Sequence, residues 1–272
     1  MYTEVLYEVA DSVAVITLNR PAALNAITDN MSSELRAAVT EARHDPAVVG
    51  IVITGAGRGF SAGADMNRLV SLRGSDGQGS LGANVPDGEP GDDFTGLFTY
   101  LLSVPKPVIA AINGPVAGMS IALALCCDLR FMAEEASLLT AFSQRGLVVE
   151  WGISWILPRL VGPAVALDLL FSSRKVDGRE CERLGLVNRA VPGDQLIAEA
   201  RTYVQDLAAR CSPLSLSIMK RQVYQQLYGS GLVEAEAEAY RMMIESFGRP
   251  DFTEGVQSFL EKRPPKFGRL GD

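Results

Sequence analysis

The apolar run Ile51-Val-Ile-Thr54 leads directly into a segment with four glycines in nine positions, Gly55, Gly57, Gly59 and Gly63, and on to Ala64-Asp65-Met66. The run reads as a buried strand. Glycines at this density let the backbone take positive φ or approach a ligand closely, which side chains would obstruct. A second segment of the same kind, Asn113-Gly-Pro-Val-Ala-Gly-Met119, also follows an apolar run and leads into a helical pattern. Two strand–glycine–helix junctions can aim two main-chain N–H groups at one oxygen atom. Glycines serving tight packing alone are the plainer alternative.

Composition narrows the classes. The 272 residues suffice for a sizeable core. The net charge of −7 comes from interspersed acids and bases, with no basic stripe for nucleic acid or an anionic membrane surface. No apolar run approaches the roughly 20 residues of a membrane helix, and Met1-Tyr-Thr-Glu-Val5 does not read as a secretory signal. Cys126, Cys127, Cys181 and Cys211 lack metal-type spacing and read as free thiols in a reducing cytoplasm. His44 is the only histidine. It reads as a helix-end cation, so no metal is expected and acid–base chemistry falls to carboxylates, Tyr, Lys or Cys.

Along the chain, Val5–Val9 and Val13–Leu18 predict a hairpin, and Thr28 caps a helix with Met31, Leu35, Ala38 and Val39 on one face. Strands are expected at 48–54, 108–112, 129–133 and 137–139. Helices are expected near 64–72, 94–103, 118–127, 163–172, 178–184, 194–210, 213–228, 232–247 and 251–262. Residues 74–93 turn to Gly, Ser, Asp, Pro and Asn and predict a mobile loop beside a ligand site. The order, β/α units first and helices last, gives an α/β core over 1–195 and a helical region over 196–272.

Four segments resemble the crotonase superfamily, also called the enoyl-CoA hydratase/isomerase family, over nearly the whole chain. They are Asn19-Arg-Pro-x-x-Leu-Asn-Ala26, Gly59-Phe-Ser-Ala-Gly-Ala-Asp65, Lys106-Pro-x-x-Ala-x-x-Asn-Gly114 and Asp177-Gly-x-Glu-Cys-x-x-x-Gly-Leu-Val-Asn188. The resemblance implies a crotonase-like ββα spiral core, a C-terminal helical trimerisation region and a homotrimer or dimer of trimers. It also implies an acyl-CoA thioester substrate, coenzyme A being part of that substrate rather than a separate cofactor. The oxyanion donors carried over are the N–H groups of Ala64 and Met119. CoA contacts fall at Ala23, Leu24, Ala26, Arg58 and Ala62, with Phe259 and Lys262 in a C-terminal segment that can reach CoA from a neighbouring subunit. A dinucleotide site at Gly57-Arg-Gly-Phe-Ser-Ala62 is disfavoured, because no ribose-binding acid ends a second strand.

The departures from the family pattern bear on the reaction. The two glutamates that activate water in typical hydratases are replaced by Ala122 and Phe142. Glu150, among Val148, Val149, Trp151 and Ile153, remains as a single base whose pKa partial burial would raise. Asp65 reads as a support for a helix start. The resemblance then implies a Δ3,Δ2-enoyl-CoA isomerase. A hydratase with unusual water activation and a non-catalytic acyl-CoA-binding protein are the alternatives.

Overall fold

The computed structural model describes residues 2–65, 89, 92–229, 245 and 249–269. A six-stranded sheet carries the core in the order β1 (Val5–Ala10), β2 (Val13–Leu18), β3 (Gly50–Gly55), β4 (Val108–Ile112), β6 (Leu129–Ala133), β9 (Arg189–Val191). β1 and β2 form the antiparallel hairpin, and every later pairing in this sheet is parallel. Every residue of β3 and β4 is buried, as parallel interior strands covered on both faces must be. A smaller sheet orders β5 (Val116–Ala117), β7 (Ser137–Leu139) and β8 (Val176–Asp177).

Helix α1 (Asp29–His44) starts where Thr28 Oγ1 accepts the Met31 N–H at 2.9 Å. It buries Met31, Leu35, Ala38, Val39 and Ala42, the apolar stripe a surface helix turns to the core. His44 Nδ1 lies 3.0 Å from Thr40 O in its last turn. Helix α2 (Met119–Leu125) is buried at every residue, and the thiols of Cys126 and Cys127 beyond it are pushed up by burial, Cys126 to about 12. Such thiols are inert as nucleophiles at neutral pH.

The remaining helices are α3 (Ile153–Val161), α4 (Pro163–Ser172), α5 (Gly178–Arg183), α6 (Leu196–Arg210), α7 (Pro213–Gly229) and α8 (Pro250–Glu261). α3 was not anticipated. Its N-cap is Gly152 in the left-handed region, without a side-chain cap, and Pro158 inside it is a residue that ordinarily breaks a helix. Of the helix expected over 94–103, only Thr99–Ser103 coils, as a 3-10 turn. The helix expected near 64–72, the loop expected over 74–93 and the helix expected over 232–247 lie outside the described residues, apart from Ala64, Asp65, Glu89, Asp92, Asp93 and Glu245.

Helix α7 is clasped to the sheet by a buried ion pair. Lys220 Nζ donates to Asp128 Oδ2 at 2.8 Å, Leu101 O at 2.9 Å and Lys106 O at 3.1 Å, and Tyr224 Oη donates to Asp128 Oδ1 at 2.9 Å. Asp128 also accepts the Val108 N–H that opens β4, at 2.7 Å. Lys220→Met would leave the largely buried Asp128 carboxylate without its cation, so unfolding in urea is expected to show a loss of about 3 kcal/mol.

Candidate active site

The first glycine segment is held by a buried amide side chain. Asn25, fully buried, donates from Nδ2 to Ala56 O at 2.9 Å and Gly59 O at 2.8 Å, and accepts the Arg20 N–H at 2.9 Å. It sits with Leu24 in the left-handed region, at φ 54° and 48°. Two consecutive non-glycine residues there are a local strain that surrounding contacts must hold in place.

Residues 24–27 and 62–65 then run side by side. Ala62 N–H donates to Leu24 O at 2.9 Å, Ile27 N–H to Gly63 O at 2.7 Å and Asp65 N–H to Ile27 O at 3.1 Å. These bonds bracket Ala64, so its own N–H faces away from Ile27. The segment's other edge bridges at Ser61 to Val116, where Ser61 N–H donates to Pro115 O at 3.1 Å and Ala117 N–H to Ser61 O at 3.1 Å. Thus the two glycine segments run side by side where Ser61 meets Val116.

Gly63 marks a close approach between them. At φ +92°, a Cβ there would lie 2.6 Å from Ala117 O and 3.4 Å from Met119 N. Gly118, at φ 52° and ψ −123°, turns the chain so that α2 opens with Met119. Among the described residues, neither the Ala64 nor the Met119 N–H has a hydrogen-bond partner. The residue before Ala64 thus lies against the start of α2, and any larger residue at 63 would push the two segments apart.

Glu150 lies in the strained turn ahead of α3. Ile153 N–H donates to Glu150 O at 3.1 Å, and Trp151 and Gly152 follow at φ 50° and 81°. A Cβ on Gly152 would sit 3.9 Å from Thr99 Cγ2, which places the turn against the 3-10 segment. Glu150 is half-buried, and burial raises its carboxyl pKa above the ordinary 4.5. Ala122 and Phe142 are both buried, and neither side chain can take a proton. Phe142 instead helps line an apolar groove of about 490 Å³ with Val149, Leu170 and Phe171.

Asp65 pairs with Arg20 at 2.9 Å, a supporting role. Tyr100 is buried, among the described residues its hydroxyl has no partner, and burial raises its pKa, so it is no acid at neutral pH. Ala23, Leu24, Ala26 and Ala62 come together around the Leu24–Ala62 contact, with Ala23 and Ala62 exposed. Arg58 is exposed beside Gly57, and among the described residues its guanidinium has no ion-pair partner. Lys262 is exposed and is the residue just past the end of α8, in the left-handed region. The side chain of Phe259 lies outside the described residues.

The buried polar residues Asn25, Ser61 and Ser120 were not singled out from sequence. For Ser120 a signal was present, one hydroxyl in the otherwise apolar Met119-Ser-Ile-Ala-Leu-Ala-Leu125.

Comparison with known proteins agrees with this architecture. A profile of the enoyl-CoA hydratase/isomerase family matches residues 8–269. The probable enoyl-CoA hydratase echA8 of Mycobacterium bovis is 34% identical over 266 residues, 98% of each chain. The 1,2-epoxyphenylacetyl-CoA isomerase of Escherichia coli is 32% identical over 265 residues, 97% of each. The crystal structure of a probable enoyl-CoA hydratase/isomerase from Mycobacterium abscessus superposes with a TM-score of 0.85 at 30% identity, covering 97% of this chain and 98% of that one. With its fold, its paired glycine segments and these relatives in agreement, the chain belongs to the enoyl-CoA hydratase/isomerase family, the crotonase superfamily of acyl-CoA enzymes.

Proposed function

We propose that the chain is a Δ3,Δ2-enoyl-CoA isomerase. The Ala64 and Met119 N–H groups form an oxyanion hole, and Glu150 is the only base. Glu150 removes a C2 proton from a 3-enoyl-CoA, the electrons spread over the thioester oxygen and C4 as a dienolate, and the same carboxyl returns the proton to C4. No water is consumed, so one carboxylate suffices. Each main-chain donor to such an oxygen contributes about 3–4 kcal/mol of transition-state stabilisation.

The observation that carries this reading is the half-buried carboxylate of Glu150, its pKa raised by burial, in a chain where the two water-activating positions are Ala122 and Phe142. Ala23, Leu24, Ala26 and Ala62 would line the path of CoA. Arg58 would face its phosphates with a planar set of donors, and Lys262 would reach the CoA of a neighbouring copy. A hydratase reading is favoured by relatives named enoyl-CoA hydratase. Incubation with 3-enoyl-CoA and with 2-enoyl-CoA separates the two. The proposal expects conjugation of the first, and hydration of the second without conjugation of the first would overturn it.

The working form is a homotrimer or dimer of trimers. Support comes from two exposed apolar rows at helical spacing, Met219, Val223 and Leu227 on α7 and Phe252, Val256 and Leu260 on α8. Faces of this kind mark contacts with other chains. Light scattering should return three or six times the 29.2 kDa chain mass, and a monomer at micromolar concentration would remove the assembly from the proposal.

A further inference from the structure

One hydroxyl ties the two glycine segments together beside the proposed donors. Ser120 follows Met119 and is fully buried. Its Oγ lies 2.8 Å from Ser61 O and 2.8 Å from Ala117 O, and it accepts the Ala117 N–H at 3.1 Å. Ser61 belongs to the first segment and Ala117 to the second. Ser61, also fully buried, passes the connection on. Its Oγ donates to Asn25 O at 2.7 Å and accepts the Gly63 N–H at 3.3 Å. The chain of contacts thus runs from the residue after one donor to the residue before the other.

Packing does not require this hydroxyl. The rest of α2 is apolar and buried, and an alanine at 120 would occupy nearly the same space. A buried hydroxyl costs free energy unless it is paired, and every partner of Ser120 Oγ is main chain of the two segments. The main-chain bonds hold Ser61 and Ala117 in register, but Gly118 then swings away at positive φ before Met119. Ser120 makes the side-chain contact that brings the first turn of α2 back onto the other strand.

We propose that Ser120 is a positioning residue: it holds the Met119 N–H in register with the Ala64 N–H so that both reach one oxygen. The inference rests on the oxyanion-hole reading above and adds to it the element that fixes donor spacing. Donors of this kind act only within a few tenths of an ångström of their place. Losing the contact should therefore weaken carbonyl polarisation more than it weakens binding.

The test uses a dialkylaminoaryl-acryloyl-CoA, a chromophore whose absorption moves to longer wavelength when its thioester carbonyl is polarised. The full-length wild-type protein should shift it on binding. Ser120→Ala should bind it with similar affinity yet lose at least about half of the shift, and kcat should fall about tenfold with KM little changed. Ser120→Cys, close in size and a weaker donor, should recover part of both. If Ser120→Ala does not fold, Ser120→Cys decides alone, with a partial loss of shift expected. A full shift and wild-type kcat in the folded variant, whatever its Tm, would show the hydroxyl to be purely structural and overturn the proposal. Absence of a shift in the wild type would overturn the oxyanion reading itself, and the inference with it.

Discussion

Glu150→Gln should abolish double-bond transposition, lowering kcat by about 10³-fold or more, while affinity for a CoA thioester stays within a few-fold of wild type. Glutamine keeps the shape of the side chain and its place in the turn before α3, but it cannot accept the C2 proton. The pH dependence carries a second, independent sign. The base acts only when ionised, so kcat/KM should fall as pH drops through the Glu150 pKa. Burial raises that pKa above 4.5, so the acid limb should lie above the range of an exposed glutamate. Linkage gives stability the opposite dependence on pH. A carboxyl with a raised folded-state pKa binds more protons folded than unfolded, so its contribution to stability falls as pH rises through that window. Glu150→Gln should remove both effects at once. Exchange of C2 hydrogens with deuterated water, followed by NMR, would show whether proton abstraction itself is lost. Retained turnover in the variant, or an unchanged acid limb, would take Glu150 out of the mechanism.

What the chain's residues revealed in advance was what local chemistry writes into sequence. Thr28 as a cap, the stripe from Met31 to Val39 and the buried runs of β3 and β4 all appear where periodicity placed them, because each depends on neighbours a few residues away. The glycine segments were recognisable as junctions. The register in which they pair was not, since the bridge from Ser61 to Val116 joins residues distant in sequence. The same holds for the ion pair of Asp128 with Lys220. Helix α3 escaped because Gly152 opens it in a conformation that no polar cap announces. At the site, nothing local in the sequence assigns Ser120 its role, which lies in carbonyls it meets only after folding.

The strongest geometric test of the paired donors is a single methyl group. In Gly63→Ala the new Cβ would meet Ala117 O at 2.6 Å and Met119 N at 3.4 Å, from a residue at φ +92°. The first contact is too close for any real Cβ, and it is made with backbone rather than with a side chain that could rotate aside. Either the 62–65 strand or the 117–119 turn must move, and each carries one of the two proposed N–H groups. Backbone strain of this kind costs about 1–3 kcal/mol, so urea unfolding should show at least that loss. The fraction that remains folded should have kcat reduced about 10²–10³-fold, the effect of displacing one oxyanion donor. Gly185→Ala separates strain from collision. Gly185 also has positive φ, 75°, but the nearest atom to its Cβ is Leu160 O at an ordinary 3.7 Å. That variant should lose about 1 kcal/mol of stability and keep wild-type kcat. If Gly63→Ala instead behaved like Gly185→Ala, with stability slightly lower and turnover intact, the approach of the two strands at Gly63 would have no bearing on catalysis. The negative charge of the intermediate would then have to be held somewhere other than between Ala64 and Met119.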